Sequence, residues 1–310
     1  MNPVFVIFNP TAGRYHAARR KSRLIHTLSA ARIPFELEQT LHPGHARQLA
    51  QQGAETGHKI IVAVGGDGTV NEIVNGMLEA DTSTKEKSSL AIVPMGSGND
   101  FAVNVGPPLA LNRVAQAILR GKTRSVDIGY VQWNHNQIST KRFFANNLGI
   151  GFEAEINIKS KKIKWIRGMP LYFCAALWAM HKTIYSQIDM SWKDDEGKLH
   201  SVSQPLLMIS IANGSRTGGG FRLIPSAIID DGVLDLGTIS PINRFQFLSL
   251  LLKVIRGTHI DEPRVTFSRC KKLTITCGKP LPVHTDGDVI TEHASEVHVT
   301  LHDKRLQVII

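Results

Sequence analysis

The sequence predicts an α/β protein with a doubly wound first domain and a β-sandwich second domain. Three observations favour this fold class. Apolar strands alternate with amphipathic helices up to about residue 125, the early strands end in glycine-bearing turns, and short alternating strands dominate the rest. Alternation of strand and helix is typical of a parallel sheet with helices on both faces. Ligands of such sheets bind beyond the carboxyl ends of the strands.

The first region contains four short apolar runs that are separated by helical patterns. The predicted strands are Val4 to Phe8, Pro34 to Thr40, Ile60 to Val64 and Leu90 to Val93. In the helix after the third strand, apolar residues recur at helical spacing: Val70, Ile73, Val74, Met77 and Leu78. This spacing places them on one face and predicts an amphipathic helix. Leu111 to Leu119 closes the region as a further helix.

Beyond about residue 125 the pattern changes to short strands separated by turn signals, which is typical of a β-sandwich or barrel. The predicted strands include Val126 to Val131, Ile188 to Trp192, Val265 to Phe267 and Leu273 to Thr276. Two helices interrupt them, roughly Met169 to Ile184 and Phe245 to Arg256. We expect a first domain over residues 1–125, completed by a strand within 300–310, and a β-rich domain over 126–299. We place the active site in the cleft between them.

The charge balance is basic, because 36 Lys and Arg stand against 26 Asp and Glu and leave a net charge of +10. This favours anionic partners, whether nucleic acid, phosphorylated small molecules or a membrane surface. Cys174, Cys270 and Cys277 are widely spaced, which fits a reducing cytosol. We see no signal-peptide pattern, and the apolar segments are too short to span a bilayer. We therefore expect a cytoplasmic protein, at most peripheral to the membrane's inner face.

The stretch Gly65-Gly66-Asp67-Gly68-Thr69 joins a buried strand to an amphipathic helix. Glycines at such a turn let backbone N–H groups converge, and the following helix adds the positive end of its dipole. This context favours a phosphate site. The alternative is a tight turn whose threonine or aspartate caps the helix. The stretch matches neither the Walker A pattern nor the dinucleotide G-x-G-x-x-G pattern.

Three further polar stretches are candidates for the same site. Pro94 to Phe101 follows a strand and either lines the cleft or caps the next helix. Asp230-Asp231-Gly232 offers hard oxygen ligands for Mg²⁺ or Ca²⁺, or forms a solvated hairpin turn. His284 to Asp288 places two carboxylates on one face of an extended stretch, which suits a base and its partner, or again an Asp-Gly turn.

In this order, the stretches resemble those of the soluble lipid kinases with a diacylglycerol kinase catalytic domain, over essentially the whole chain. The matching stretches are Asn9-Pro10-Thr11-Ala12-Gly13, Thr40 with Gly44-His45-Ala46, Gly65 to Glu72, Pro94 to Phe101, Asp230-Asp231-Gly232 and Asp286-Gly287-Asp288. Asp288 is a departure, because the family's D-G-E motif has glutamate there. The shorter side chain requires a tighter site or a bridging water.

The resemblance implies a NAD-kinase-like, nucleotide-binding first domain and the use of ATP with Mg²⁺. The implied nucleotide contacts are Asn9, Pro10, Thr11, Ala12, Gly13, Thr40, Gly66, Asp67, Gly68, Thr69, Val70, Asn71, Glu72 and Ser97. It implies that Asp286 is the general base on the lipid hydroxyl, that Asp67 acts near the phosphates, and that Asp288 is a further catalytic residue. The implied structural Mg²⁺ site consists of the Asp231 carboxylate and the backbone oxygens of Ile228 and Val233.

The implied reaction is transfer of the γ-phosphoryl group of ATP to a membrane lipid, with diacylglycerol as the first candidate. The alternatives are another lipid alcohol such as phosphatidylglycerol, or NAD. A regulatory nucleotide- or nucleic-acid-binding protein is a different class, suggested only by the charge, and we expect no nucleic-acid partner because no such motif is present. Lys159 to Arg167 is either a rim that faces an anionic membrane or a solvated helix face. A homodimer is an expectation by analogy.

Overall fold

The computed structural model describes residues 2–80, 87–106, 110–135, 138–181, 185–303 and 305–310. The chain forms two compact units, Met1–Val126 with Arg305–Ile310, and Asp127–Lys304. We call them the α/β domain and the β domain. Among the described residues, no helix has the length and apolar character needed to cross a membrane.

The α/β domain begins with five strands and five helices. The strands are β1 (Val4–Phe8), β2 (Phe35–Gln39), β3 (Ile60–Gly65), β4 (Ser89–Pro94) and β5 (Thr123–Val126). The helices are α1 (Ala12–Ala30), α2 (His45–Thr56), α3 (Asp67–Glu79), α4 (Asp100–Val105) and α5 (Leu111–Arg120). β1 pairs in parallel with β2 and β3, and β3 with β4. The continuous apolar sequences of β1 and β3 follow from burial on both faces of this sheet.

Helix α3 packs against the sheet with the face that the sequence predicts. Val70, Ile73 and Val74 are buried. On another side α3 meets α2 closely at Gly76, where a Cβ would lie 2.1 Å from the Arg47 carbonyl oxygen. Glycine therefore sets the distance between these two helices, and that distance positions the polar residues of the α3 first turns.

The described residues of the β domain form ten strands and three helices. The strands are β6 (Gly129–His135), β7 (Ile138–Phe144), β8 (Asn147–Gly151), β9 (Ser186–Lys193), β10 (Leu199–Leu206), β11 (Met208–Ala212), β12 (Leu234–Ile239), β13 (Val265–Cys270), β14 (Lys272–Thr285) and β15 (Asp288–Leu301). The helices are α6 (Phe152–Ser160), α7 (Met169–Met180) and α8 (Arg244–Arg256). The sheet order is β13-β12-β11-β8-β14-β15-β6-β7, with β9 joined to β14 and β10 to β9.

The long strand β14 lets this sheet fold around one core. Its first half, Lys272 to Cys277, pairs with β9, and its last residues, Val283 to Thr285, pair with β8. Register shifts between these halves bend the β14–β15 ladder. The strands thereby enclose a core that includes Phe144, Ile211 and Val299.

The last strand, β16 (Leu306–Ile309), returns to the first sheet. It lies between β4, to which it is parallel, and β5, to which it is antiparallel. The sequence analysis expects a strand within 300–310, and β16 occupies Leu306–Ile309 of that range, whereas Thr300 and Leu301 end β15 of the second sheet.

The fold class is confirmed for the α/β domain, whose β1–β4 form a parallel sheet, and for the β-rich second domain. The predicted strand Val126 to Val131 is in fact the end of β5 and the start of β6, separated by Asp127 and Ile128. The short helix α4 is an addition. α7 ends at Met180, and residues 182–184 of the predicted helix lie outside the described residues.

Candidate active site

The carboxyl ends of β1, β3 and β4 lie side by side at one edge of the first sheet, because these strands are adjacent and parallel. Backbone N–H groups hold the turns that follow: Asn9 donates to the Val64 carbonyl, Thr40 to the Phe8 carbonyl and Met95 to the Gly65 carbonyl, at 2.7–3.0 Å. The fold therefore brings the predicted nucleotide stretches of the α/β domain to a single edge.

Glycine is required where the turns after β3 and β4 meet. A Cβ on Gly66 would lie 2.9 Å from the Cα of Gly96, and one on Gly96 would lie 2.5 Å from the Cα of Gly66. A Cβ on Gly65 would lie 2.4 Å from the Cβ of Thr69. Gly13 has a φ of +59°, and a Cβ there would lie 2.4 Å from a carbonyl oxygen of the turn after β4. Close packing, between turns at Gly13, Gly66 and Gly96 and against α3 at Gly65, explains these four glycines.

Gly68 is different, because packing does not explain it. It is exposed in the first turn of α3, and no atom lies within 4 Å of the position that a Cβ would take. Glycine in a helix costs about 1 kcal/mol relative to alanine, and no packing contact among the described residues explains that cost. Among the described residues, no side chain caps this turn, which is the arrangement of a helix start that suits an anion.

The Asp67 carboxylate joins the two glycine turns. Its Oδ2 accepts the backbone N–H of Asn99 at 2.7 Å, and its Oδ1 accepts that of Phe101 at 3.3 Å. Asn99 in turn closes its own loop, since its side-chain oxygen accepts the Gly96 N–H at 2.9 Å. Asp67 is predicted to act near the phosphates, and the structure gives its carboxylate a positioning task.

The Glu72 carboxylate also accepts backbone N–H groups, in its case from the start of helix α2. Its two carboxylate oxygens accept the backbone N–H groups of Gly44 at 2.9 Å and Ala46 at 3.2 Å. These groups belong to the start of α2, so Glu72 caps that helix from α3. The sequence predicts a nucleotide contact for Glu72, but its carboxylate holds the Gly44-His45-Ala46 turn in place.

The remaining predicted nucleotide residues divide into exposed and buried positions. Thr11 and Ser97 are exposed at the strand ends, and Asn9, Pro10, Gly13 and Thr40 are half-buried. Buried side chains are those of Ala12, Thr69, Val70 and Asn71. Thr69 also has a structural contact, because its Oγ1 accepts a hydrogen bond from the Asn9 amide at 2.8 Å and so links the β1 and β3 turns. The nucleotide contacts of these four residues stay predictions.

In the β domain, Asp286 lies in the turn between β14 and β15 and has a φ of +49°. Its carboxylate accepts three backbone N–H groups, from Ala145 at 2.9 Å, Asn146 at 2.9 Å and Asn147 at 2.8 Å. Its own N–H donates to the Asn147 carbonyl at 2.8 Å. The predicted base is thus a carboxylate whose orientation the start of β8 fixes.

Asp288 has a more exposed environment two residues later. Its carboxylate forms ion pairs with Arg142 and with Lys161, both at 3.2 Å, and 43% of the side chain is exposed. Exposed ion pairs of this kind contribute little to stability. The two aspartates of this turn therefore differ, because backbone N–H groups hold one and cationic side chains pair with the other.

The sequence analysis misses a buried pair behind the Asp286 turn, formed by His284 and Glu153. His284 Nε2 lies 3.3 Å from Glu153 Oε1, and its Nδ1 accepts the Gly287 N–H at 3.3 Å. Asn147 donates its side-chain amide to Glu153 at 2.7 Å. Both side chains cover Gly149, where a Cβ would lie 2.4 Å from His284 Nε2. A histidine two positions before Asp-Gly on a buried strand was the available signal.

The predicted metal ligands lie in the turn before β12. Asp231 Oδ1 accepts the Val233 N–H at 3.3 Å, and its Oδ2 is paired with the Arg269 guanidinium. The buried Asp127 carboxylate accepts the Gly232 N–H at 2.7 Å, and the Ile228 side chain is exposed. Among the described residues, no three His, Cys, Asp or Glu side chains form a group that could hold a metal ion. A cation, Arg269, therefore already contacts the predicted ligand.

Asp235 completes this acidic region from β12. Burial raises the pKa of its carboxyl to about 6, and the Asp231 charge adds to the effect, whereas Arg269 opposes it. The Ser226 hydroxyl lies 3.5 Å from its Oδ1. Asp235 thus remains a buried carboxylate with weak hydrogen bonding, in contrast to Asp286.

Comparisons with known proteins identify two domains along the chain. The diacylglycerol kinase catalytic domain matches residues 3–131, and the YegS C-terminal NAD kinase beta sandwich-like domain matches residues 146–310. A diacylglycerol kinase of Bacillus subtilis is 25% identical over 91% of this chain and 88% of its own length. The β-sandwich prediction for the second domain is thereby confirmed.

Solved structures show the same fold. A crystal structure of a diacylglycerol kinase from Bacillus anthracis has a TM-score of 0.72 at 21% identity, covering 99% of this chain and 96% of the other. An NAD kinase from Archaeoglobus fulgidus in complex with ATP has a TM-score of 0.55 at 12% identity, covering 99% and 93%. The NAD-kinase-like fold prediction is therefore confirmed, and at these identities the likeness shows the fold alone.

The matched domains and the curated relative define a class first: this chain is a kinase that transfers a phosphate to an alcohol. Within that class, it belongs to the diacylglycerol kinase catalytic domain family of lipid kinases, with the YegS-type C-terminal domain. The family resemblance and the prediction of an enzyme are confirmed.

Proposed function

We propose that this protein transfers the γ-phosphoryl group of ATP, as its Mg²⁺ complex, to the hydroxyl of diacylglycerol and so forms phosphatidic acid. The observation that carries the proposal is Gly68, an exposed glycine in an uncapped first helical turn, next to turns that glycines and Asp67 hold together. The acceptor is taken from the relatives that bear the name diacylglycerol kinase.

In the α/β domain, ATP binds at the strand ends. The first turn of α3 supplies N–H groups and the positive end of a helix to the phosphates, which suits an anion and its transition state. Gly68 lets a phosphate approach the backbone closely, and the exposed Thr11 and Ser97 add hydroxyl donors at the neighbouring turns. Asp67 and Glu72 act indirectly, because they fix the turns that carry these donors.

In the β domain, Asp286 accepts the proton of the lipid hydroxyl as the new P–O bond forms, and the bond from the γ-phosphorus to the β,γ-bridging oxygen of ATP breaks. Three backbone N–H groups orient its carboxylate, and the buried His284–Glu153 pair supports the turn from behind. General-base assistance of this kind contributes about 10²- to 10⁴-fold.

Mg²⁺ neutralises charge on the phosphates when it arrives with ATP. A second, structural Mg²⁺ held by Asp231 with the backbone oxygens of Ile228 and Val233 stays a prediction. The oxygen donors suit Mg²⁺, but binding requires Arg269 to release the carboxylate oxygen that it now contacts.

The Gly68→Ala variant tests the nucleotide site. Alanine should leave the melting temperature equal or higher, because it favours the helix and meets no neighbouring atom. We expect the KM for ATP to rise at least tenfold, since the methyl group occupies the approach of the phosphate. Gly121→Ala is the matched control: its Cβ also meets no atom, but its φ is +66°, so it should lower stability without changing KM.

A lipid panel tests the acceptor. The purified protein is incubated with labelled ATP and Mg²⁺ and with dispersed short-chain diacylglycerol, phosphatidylglycerol or NAD. Label should enter phosphatidic acid. Label in phosphorylated phosphatidylglycerol or in NADP, with none in phosphatidic acid, contradicts the proposal, as does an unchanged KM for ATP in Gly68→Ala.

A further inference from the structure

Helix α8 of the β domain has two apolar faces. Phe247, Leu250, Leu251 and Val254 are buried in a core shared with α7. Phe245 (87% exposed), Leu248 (44%) and Leu252 (46%) lie on the opposite side at i, i+3 and i+7. Surface helices of globular proteins carry polar residues on the outer face, so this exposed stripe indicates that something covers it.

Helix α7 continues the same apolar surface. Leu177 and Trp178 near its end are 42% and 46% exposed. His181, directly after α7, has its Nδ1 3.5 Å from a guanidinium nitrogen of Arg244 at the start of α8. The end of α7 and the beginning of α8 are therefore neighbours. We call Leu177, Trp178, Phe245, Leu248 and Leu252 the α7–α8 face.

The charges around this face are positive. The charged residues of α8 are Arg244, Lys253 and Arg256, and α7 has no charged residue. Lys253 is paired with Glu262, which leaves Arg244 and Arg256 at the two ends of the exposed stripe. At the α7 end, the Lys159 ammonium lies 5.4 Å from the centre of the Trp178 ring.

The segment after α6 continues this pattern. Lys162 and Lys164 are exposed, and Trp165 is 83% exposed. Lys161 is engaged with Asp288. This loop therefore carries two exposed lysines and an exposed tryptophan. It follows Lys159, whose ammonium contacts Trp178 of the α7–α8 face.

We propose that the α7–α8 face docks on an anionic lipid bilayer, with Phe245, Leu248, Leu252 and Trp178 in the interfacial layer and Arg244, Arg256, Lys162 and Lys164 on lipid phosphates. An apolar stripe with tryptophan and a cationic border matches a surface that is apolar beneath and negatively charged above. A protein partner or a second copy of the chain would have to supply acidic groups at the same border. The proposal rests on the proposed function, because a diacylglycerol acceptor resides in a bilayer.

Sedimentation with sucrose-loaded vesicles tests the docking without any catalysis. One set contains phosphatidylcholine alone and the other phosphatidylcholine with phosphatidylglycerol. The variant F245S/L248S should bind the anionic vesicles at least tenfold more weakly than the unmodified protein. The control L119S/L199S removes two leucines that are 49% and 66% exposed on other elements and should bind normally.

A charge variant separates the electrostatic part. R244Q/R256Q should weaken binding to the phosphatidylglycerol vesicles and abolish the preference for them over phosphatidylcholine alone. All three variants should phosphorylate dispersed short-chain diacylglycerol at the rate of the unmodified protein, since none of these residues belongs to the active site.

Two outcomes overturn the proposal: F245S/L248S binds anionic vesicles as the unmodified protein does, or size-exclusion chromatography shows that it turns a dimer into a monomer. The second outcome makes the face a contact between copies of the chain. If the unmodified protein binds the vesicles but phosphorylates no lipid, the proposed function fails while the docking surface stands.

Discussion

Asp67 of the α/β domain and Asp286 of the β domain both precede a glycine, and both accept backbone N–H groups, yet their tasks are opposite. The Asp67 carboxylate positions backbone: it binds Asn99 and Phe101 and so holds one turn against the other. At Asp286 the backbone positions the carboxylate, through Ala145, Asn146 and Asn147. One Asp-Gly signature therefore has two structural tasks: in the first domain it holds two turns together, and in the second it presents an oriented carboxylate.

The largest effect should come from Asp286→Asn, which removes the proposed base. Phosphoryl transfer to dispersed diacylglycerol should fall about 10²- to 10⁴-fold, with the dissociation constant of ATP unchanged. The new amide NH₂ faces backbone N–H donors, so the free energy of unfolding should also fall by about 1–3 kcal/mol. Initial rates, calorimetric ATP titration and thermal unfolding measure the three quantities.

Asp288→Asn is the control for this variant. Among the described residues, its half-exposed side chain forms ion pairs with the long side chains of Arg142 and Lys161. The rate of phosphoryl transfer should therefore fall by less than about tenfold, the equivalent of about 1.4 kcal/mol. If Asp288→Asn is as inactive as Asp286→Asn, the proposed assignment of Asp286 alone as the base is wrong.

Asp67→Asn should act on binding. One of its two hydrogen bonds to the turn after β4 is replaced by a donor–donor contact, at a cost of about 1–3 kcal/mol. We expect the KM for ATP to rise about ten- to hundredfold, with the KM for diacylglycerol unchanged. Glu72→Gln, which alters the equivalent cap on α2, provides the reference for damage to α3 in general. If the two variants change KM equally, Asp67 has no special relation to the phosphates.

The smallest effect on activity is expected at Asp235, a buried carboxylate without the backbone donors of Asp286, where the change should be in stability. Its pKa in the folded protein is about 6, above its ordinary value of 3.8. The folded state therefore holds a proton up to about pH 6, and the associated stability is lost as the pH rises from about 4 through 6. Over this interval the loss amounts to about 3 kcal/mol.

Asp235→Asn should remove this loss, so its free energy of unfolding relative to the unmodified protein should increase by about that amount between pH 4 and pH 7. Urea denaturation at several pH values measures it, with the exposed Asp189→Asn as control. If the free energy of unfolding changes with pH in the same way for Asp235→Asn and for the unmodified protein, the raised pKa of Asp235 is wrong.

The sequence predicts those parts of the molecule that depend on local patterns. The apolar runs of β1 and β3 and the helical spacing of Val70, Ile73 and Val74 determine where these elements form, because burial selects them residue by residue. The stretches at the strand ends are also recognisable from local patterns, because each glycine and polar residue occurs at a fixed distance from a strand.

The tasks of the polar side chains are not predictable in this way. Glu72 accepts the N–H of Gly44, the N-cap of α2, from 28 positions away, and Arg269 reaches Asp231 across 38 positions because β13 pairs with β12. Such contacts exist only once the strands and helices have packed. The sequence therefore indicates which residues belong to the site, and the packing decides whether each one binds a ligand or holds a turn.

Strand β16 has a consequence for how the protein is made. Gln307 bonds to Ser125 of its neighbouring strand β5 across 182 positions of chain. The ribosome synthesises the chain from its N-terminus, so the whole β domain is made before β16 can insert between β4 and β5. During that time the edge of β4 that β16 will cover is open and β5 lacks the strand with which it pairs, so the nascent chain is most exposed to chaperones and to proteases in the domain that was synthesised first.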